Sequence, residues 1–131
     1  MKLFFDNNLP PRIAHAANIL LAPEHSAVAL RDRFEPSIKD VDWMAALGLE
    51  GGWVVISADI RILRNAAERQ AFRDARLVGF FVEPGVAKLD RLMQASVLFR
   101  RFDEIRRQVD LISPPATFSI PFKGRLRQLP T

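Results

Sequence analysis

The sequence contains no cysteine among its 131 residues. This absence excludes disulfides, thiolate metal sites and cysteine nucleophiles, and it fits a reducing cytoplasm. No uncharged run approaches the ~18 residues that a membrane span needs, and the N-terminus lacks the basic and then apolar segments of a signal peptide. We therefore expect a cytoplasmic protein that does not bind a membrane.

Several common catalytic signatures are also missing. There is no glycine-rich phosphate loop, because Gly51-Gly52 precedes an apolar run and is typical of a turn. No serine stands in a nucleophile-elbow motif, and His15 and His25 match no metal-binding spacing. Carboxylates are the remaining candidates for chemistry.

Charge is distributed unevenly along the chain. Residues 1–60 carry five Lys/Arg against eight Asp/Glu, a net charge of −3, whereas residues 61–131 carry fourteen against seven, a net charge of +7. An acidic half joined to a basic half suits a carboxylate metal site beside a surface for polyanions. For any single charge, however, a solvated helix face is the better explanation.

Apolar strand-like runs alternate with helical patterns. The predicted strands cover residues 2–5, 27–30, 53–56, 77–82 and 117–122, and the predicted helices cover residues 9–21, 65–75, 88–109 and a segment that starts at Asp40. This alternation predicts an α/β fold with a mainly parallel sheet of four or five strands. We expect one domain over residues 1–131, in which residues 110–131 form an edge strand, as Pro121 suggests, and a basic tail.

Two of the buried strands are followed by an aspartate. Leu3-Phe4-Phe5 leads to Asp6, Trp53-Val54-Val55-Ile56 leads to Asp59, and Asp40 opens a helix. Right-handed crossovers bring the carboxyl ends of parallel strands to one edge of the sheet, where ligands gather. Because Mg²⁺ and Mn²⁺ prefer oxygen ligands, the pattern predicts a divalent metal site there, with either Asp40 or Asp42 as the helix ligand.

Each aspartate also has a purely structural explanation. Asp6 and Asp40 are candidates to cap the helices that follow them, Asp42 to be a solvated acid of a first helical turn, and Asp59 to cap a turn. Asn8 is a further candidate N-cap of the first helix. Two buried strands that both end in aspartate favour a shared site over separate caps.

Three motifs together resemble the PIN-like domains related to the toxins of VapC-type toxin–antitoxin systems. They are LFFDNNLP at residues 3–10, DVDWM at residues 40–44 and VVISAD at residues 54–59. Residues 60–69, IRILRNAAER, resemble the version of that fold in which an arginine-bearing segment follows the third carboxylate. The resemblance implies a three-layer α/β/α sandwich and an endoribonuclease that depends on Mg²⁺ or Mn²⁺ and often has a partner antitoxin.

The resemblance also assigns roles to residues. Asp6, Asp40 and Asp59 would be the catalytic, metal-binding acids, Asn8 and Ser57 would support them, and Asp42 would be a reserve ligand. Arg61 and Arg64 are the arginines closest to Asp59, and we expect them to bind RNA phosphates, for which the forked donors of arginine are suited.

One feature of the family pattern is missing. Many PIN nucleases carry a fourth acid shortly after the third, and Ile60 and Arg61 occupy that stretch here. The leading hypothesis is a toxin endoribonuclease, and the alternative is a catalytically degenerate PIN-like module that binds a protein or RNA partner. A receiver-like signalling domain fits poorly, because no lysine follows residues 77–82 until Lys88.

The expected partners are an RNA substrate and a cognate antitoxin protein. The apolar residues Phe118, Ile120 and Phe122 near the C-terminus have three uses that the sequence does not separate: a homodimer interface, antitoxin docking, or packing on the protein's own core.

Overall fold

Strands and helices alternate along the chain, which the computed structural model describes from residue 1 to residue 131. The strands are β1 (Lys2–Phe5), β2 (Ser26–Ala29), β3 (Trp53–Ser57), β4 (Val78–Val82), β5 (Ala116–Ile120) and β6 (Arg127–Leu129). The α-helices are α1 (Pro11–Leu21), α2 (Leu30–Arg33), α3 (Asp40–Glu50), α4 (Ala66–Asp74), α5 (Pro84–Ala87), α6 (Arg91–Arg100) and α7 (Phe102–Leu111). A 3-10 helix covers Ile60–Leu63. None of the helices has the length and apolar character needed to cross a membrane.

All six strands form one sheet, in the order β2-β1-β3-β4-β5-β6. The first five are parallel, and β6 runs antiparallel to β5. The predicted α/β fold with a mainly parallel sheet is therefore confirmed. The sheet has one strand more than predicted, because Arg127–Leu129 pairs with β5 instead of remaining an unpaired tail.

Two apolar cores lie on opposite faces of the sheet. One is a cluster of 20 buried residues that joins one face to α1, α5, α6 and α7. The other has 11 buried residues and joins the opposite face to α3, α4 and the 3-10 helix. Strand side chains alternate between the two cores, as Phe4 and Phe5 do, because successive residues of a strand point to opposite faces. The three-layer α/β/α arrangement is the expected one.

The C-terminal elements correct two predictions. The helix predicted over residues 88–109 is divided, because Asp90 caps a new helix by accepting from the Met93 amide at 2.9 Å, and Arg101 separates α6 from α7. The predicted edge strand is β5, which lies inside the sheet between β4 and β6. Phe118 and Ile120 are buried in the core, and Phe122 remains 42% exposed.

Gly48 allows α3 to lie against the end of α4. A Cβ atom at this position would lie 2.8 Å from both Cα and Cβ of Ala75, the residue that follows α4. Since real Cβ atoms do not approach backbone so closely, any side chain here would force the helices apart.

We expect Gly48→Ala to destabilise the protein by about 1–3 kcal/mol, because overpacking between α3 and α4 outweighs the gain in helix propensity. Urea unfolding measures the effect. Gly85→Ala is the matched control, since no atom lies within 4 Å of its added methyl group, and it should leave stability unchanged or slightly raised. Equal stability of the two variants would contradict the close approach.

Candidate functional site

Asp6 lies at the carboxyl edge of the sheet, directly after β1. The parallel pairing of β1 with β3 continues one residue beyond the strand, where the Asp6 amide donates to the Ile56 carbonyl at 2.9 Å. Asp6 is only 5% exposed, which is unusual for an unpaired carboxylate. The fold therefore places an acid inside the protein at the edge where the sequence predicted the site.

Ser57, the last residue of β3, connects the segments that carry Asp6 and Asp59. Its buried Oγ donates to Asp6 Oδ2 at 3.0 Å and accepts from the Asp59 amide at 3.0 Å. Asn8 fastens the same loop, because its Oδ1 accepts from the Ala58 amide at 2.9 Å. Asn8 does not cap α1, as one interpretation proposed, since Pro10 occupies the cap position.

Asp40 reaches the site from the helical layer. It is the first residue of α3 and not its cap, and its Oδ1 accepts from the indole Nε1 of the fully buried Trp43 at 2.9 Å. Asp42 is exposed, and it lies about 200° around the helix axis from Asp40. The structure thus directs Asp40, and not Asp42, toward the other acids.

These acids share one open cleft of about 280 Å³. Its lining consists of Asp6, Asn7, Asn8, Leu30, Pro36, Ile38, Asp40, Asp59 and Arg61. Of the residues that the sequence nominated, the three aspartates, Asn8 and Arg61 line this cleft. Ser57 lies beneath it, and Arg64 and Asp42 are not part of it.

The environment of Asp6 favours its neutral form. Burial raises the pKa of the Asp6 carboxyl to about 6, and the negative charges of Asp40 and Asp59 add to the effect. Hydrogen bonds from the Asn7 amide and from Ser57 oppose the rise without cancelling it. A cation in the cleft would stabilise the charged form of Asp6, because an opposite charge favours ionisation.

Asp59 is in a different electrostatic state because it is paired with Arg61. Arg61 Nε and Nη2 donate to its two carboxylate oxygens at 2.8 and 3.1 Å, and the Arg61 amide donates to Oδ1 at 3.1 Å. The Arg61 hydrogen bonds hold the pKa of Asp59 below its usual value. The Arg61 side chain is 83% exposed, whereas that of Asp59 is 18% exposed, so the arginine covers the acid from the solvent side.

Glu68 is an acid of the site that sequence reasoning missed. Burial raises the pKa of Glu68, and the negative charges of Asp40 and Asp59 raise it further. It lines a neighbouring opening together with Asp40 and Asn65. The only local signal was a capping box, whose first half is present because Asn65 Oδ1 accepts from the Glu68 amide at 3.0 Å.

The oxygen donors of the cleft suit a hard divalent cation in chemistry. No three His, Asp or Glu side chains, however, lie close enough together to hold a metal ion among them. Asp59 has a guanidinium as its partner instead. Asp6 has no cationic partner, and this buried carboxylate next to like charges is the feature that fits a metal ion.

A second, more enclosed cavity lies in the layer of α1, α6 and α7. It has a volume of about 260 Å³, and ten of its twelve lining residues are hydrophobic, the others being Arg100 and Asp103. It brings together no group of acids or nucleophiles, so the carboxylate cleft is the better candidate for chemistry.

The family of this chain is shown by a family model described as a PIN like domain, which matches residues 1–84. The chain belongs to the PIN-like domain family. All four acids of the site lie within the matched residues of this PIN-like domain, while α6, α7, β5 and β6 lie beyond them. Neither the curated proteins nor the solved structures contain a match to this chain. Family membership indicates a nuclease-type protein, and the narrower relation to VapC toxins stays a prediction.

The raised pKa of Asp6 predicts a dependence of stability on pH. A carboxyl whose pKa is about 6 when folded and 3.8 when unfolded stabilises the fold below pH 4, and this contribution is lost as pH rises through 6. The loss is at most about 3 kcal/mol. In urea unfolding with EDTA, the wild type should lose stability from pH 4.5 to 7.5 relative to Asp6→Asn. Parallel pH profiles of the two proteins would contradict the assignment.

Proposed function

We propose that this PIN-like protein is a metal-dependent endoribonuclease that uses Mg²⁺ or Mn²⁺ and acts as the toxin of a type II toxin–antitoxin pair. The observation that carries the proposal is the convergence of Asp6, Asp40 and Asp59 on one cleft. These acids come from the ends of two strands and the start of a helix, and one of them is buried without a cation. A divalent ion would stabilise such a cluster by offsetting the repulsion among its negative charges.

Asp6, Asp40 and Asp59 would hold the metal ion once their side chains move closer together than they lie in this structure and Arg61 leaves Asp59, with Glu68 as an additional acid from α4. The chemistry that a divalent ion would supply there is activation of a water molecule and neutralisation of charge on the scissile phosphate. Ser57 and Asn8 keep the segments of Asp6 and Asp59 at fixed positions through their hydrogen bonds. Arg61 and Arg64, which lie two and five residues after Asp59, are the proposed contacts to RNA phosphate.

Arg61 has two roles in this proposal. Arg61 supplies the positive charge beside Asp59. A metal ion held by the acids would supply that charge in its place, and the guanidinium of Arg61 would then be free to donate to a phosphate oxygen in a forked geometry. Metal and RNA binding are therefore linked through one side chain.

The second candidate function is a catalytically degenerate PIN-like module that binds RNA or a protein partner. The ion pair between Asp59 and Arg61 favours it, because that pair neutralises one of the three acids permanently if Arg61 does not leave. Metal binding distinguishes the two candidates.

The antitoxin is proposed from the VapC resemblance alone. A small DNA-binding protein encoded by the neighbouring reading frame would support this part of the proposal. We propose a cytoplasmic location for the protein, because its proposed RNA substrate is found in the cytoplasm.

Single-stranded RNA incubated with the protein and Mn²⁺ should be cleaved, and Asp6→Asn and Asp59→Asn should each lower the rate by about 100-fold or more, because each removes a ligand of the ion. Gel analysis of the RNA measures this. Asp110→Asn is the control, since this exposed acid lies on α7 and pairs only with Arg106. Cleavage that stays the same in both site variants would disprove the assignment.

Arg61→Gln should bind Mn²⁺ several-fold more tightly than the wild type, because it removes the cation that competes for Asp59. Isothermal titration calorimetry measures the affinity without any need for activity. Arg73→Gln, which removes an exposed arginine of α4, should leave the affinity as it is. If Arg61→Gln binds the metal equally or less well, the competition does not exist, and no Mn²⁺ binding by either protein favours the degenerate module.

A further inference from the structure

Another cavity lies along the same edge of the sheet as the carboxylate cleft. It measures about 400 Å³ and includes Arg64, Glu83, Ser119 and Arg127 in its lining. It adjoins the cleft, because Ile60 lines this cavity and the next residue, Arg61, lines the cleft. The two openings therefore lie next to each other, with the cleft at the ends of β1 and β3 and this cavity at the ends of β4 and β5.

We propose that this cavity, which we call the arginine groove, binds the phosphate backbone of the RNA on one side of the scissile bond, with Arg64 and Arg127 as its contacts. This inference depends on the proposed RNA substrate and adds to it a part of the chain that lies outside the matched PIN-like residues.

Arg64 is available for such a contact. It directly follows the 3-10 helix, it is exposed, and its guanidinium takes part in no ion pair. Arg61 lies within the 3-10 helix and Arg64 is its C-terminal cap, so the two arginines are three residues apart and line neighbouring openings. One strand of phosphates can then meet Arg61 at the cleft and Arg64 at the groove.

Arg127 is brought to the groove by β6. Its guanidinium pairs with Glu83, which follows β4, and the same carboxylate accepts from Ser119 Oγ at 3.1 Å. The Arg127 side chain is nevertheless 67% exposed. Arginine has five N–H donors, so a contact to one carboxylate oxygen leaves donors for a phosphate.

The charges of the groove favour an anion. Arg64 and Arg127 stand against the single acid Glu83, so one positive charge is not compensated. The neighbouring cleft has the opposite balance, with three aspartates and one arginine in its lining. A divalent ion in the cleft would balance its negative charge, and the phosphates of an RNA strand in the groove would balance the positive charge there.

The alternative is that Arg127 only anchors β6 to the end of β4. The two roles differ in the effect of removing Glu83. If Arg127 binds phosphate, Glu83→Gln releases its guanidinium and removes a negative charge from the groove, so RNA binding becomes tighter. If Arg127 is only an anchor, Glu83→Gln and Arg127→Gln weaken the fold alike, and RNA affinity does not rise.

The experiment measures binding of a labelled single-stranded RNA to the full chain by fluorescence anisotropy, in EDTA and over a series of salt concentrations. Arg64→Gln and Arg127→Gln should each weaken binding and lower the salt slope by about 1, because each removes one phosphate contact. Glu83→Gln should bind more tightly than the wild type. Arg125→Gln is the matched control, since Arg125 is exposed two residues before Arg127 and does not line the groove.

An unchanged affinity and salt slope in both arginine variants, or equal weakening of binding by Arg125→Gln, would overturn the arginine groove. If the wild-type protein cleaves RNA in that case, the proposed function still stands. RNA binding that depends on Arg64 and Arg127 without any cleavage would support the groove and refute the nuclease. Circular dichroism of every variant ensures that a loss of binding is not a loss of fold, and Glu83→Gln remains decisive if Arg127→Gln unfolds.

Discussion

The hydrogen bond between Ser57 Oγ and the buried carboxylate of Asp6 is the interaction on which the candidate site depends. It forms because β1 and β3 are parallel neighbours, so that their carboxyl ends meet. The same hydroxyl accepts from the Asp59 amide, and one buried side chain therefore ties two acid-bearing segments together. A charged Asp6 in this poorly solvated position is energetically costly, because burial disfavours the ionised carboxylate.

Charge compensation follows a pattern along the edge of the sheet. The acid after β3, Asp59, has Arg61, and the acid after β4, Glu83, has Arg127. Asp6, after β1, has no such partner. The uncompensated position is thus the most buried one, and it lies beside the half-buried Asp40. The side chains of both arginine partners are largely exposed.

The matched PIN-like residues and the rest of the chain contribute differently. Residues 1–84 contain β1 to β4 and all the acids of the site. The remaining residues supply α6 and α7, which help to cover one face of the sheet, and the pair β5 and β6, which extends it. Through Arg127 the extension reaches back to the acidic edge, which links the C-terminal region to the proposed RNA path.

The sequence by itself determined the α/β class and the places of Asp6, Asp40 and Asp59. Each of these acids either lies within two residues of the end of a buried strand or opens a helix, and such positions can be predicted from local patterns. The tertiary structure alone decided the rest. Glu68 joins the acids because α3 and α4 pack side by side, and no local pattern encodes a contact between helices. The short polar strand β6 exists only through its pairing with β5, so neither its position nor that of Arg127 was visible in the sequence.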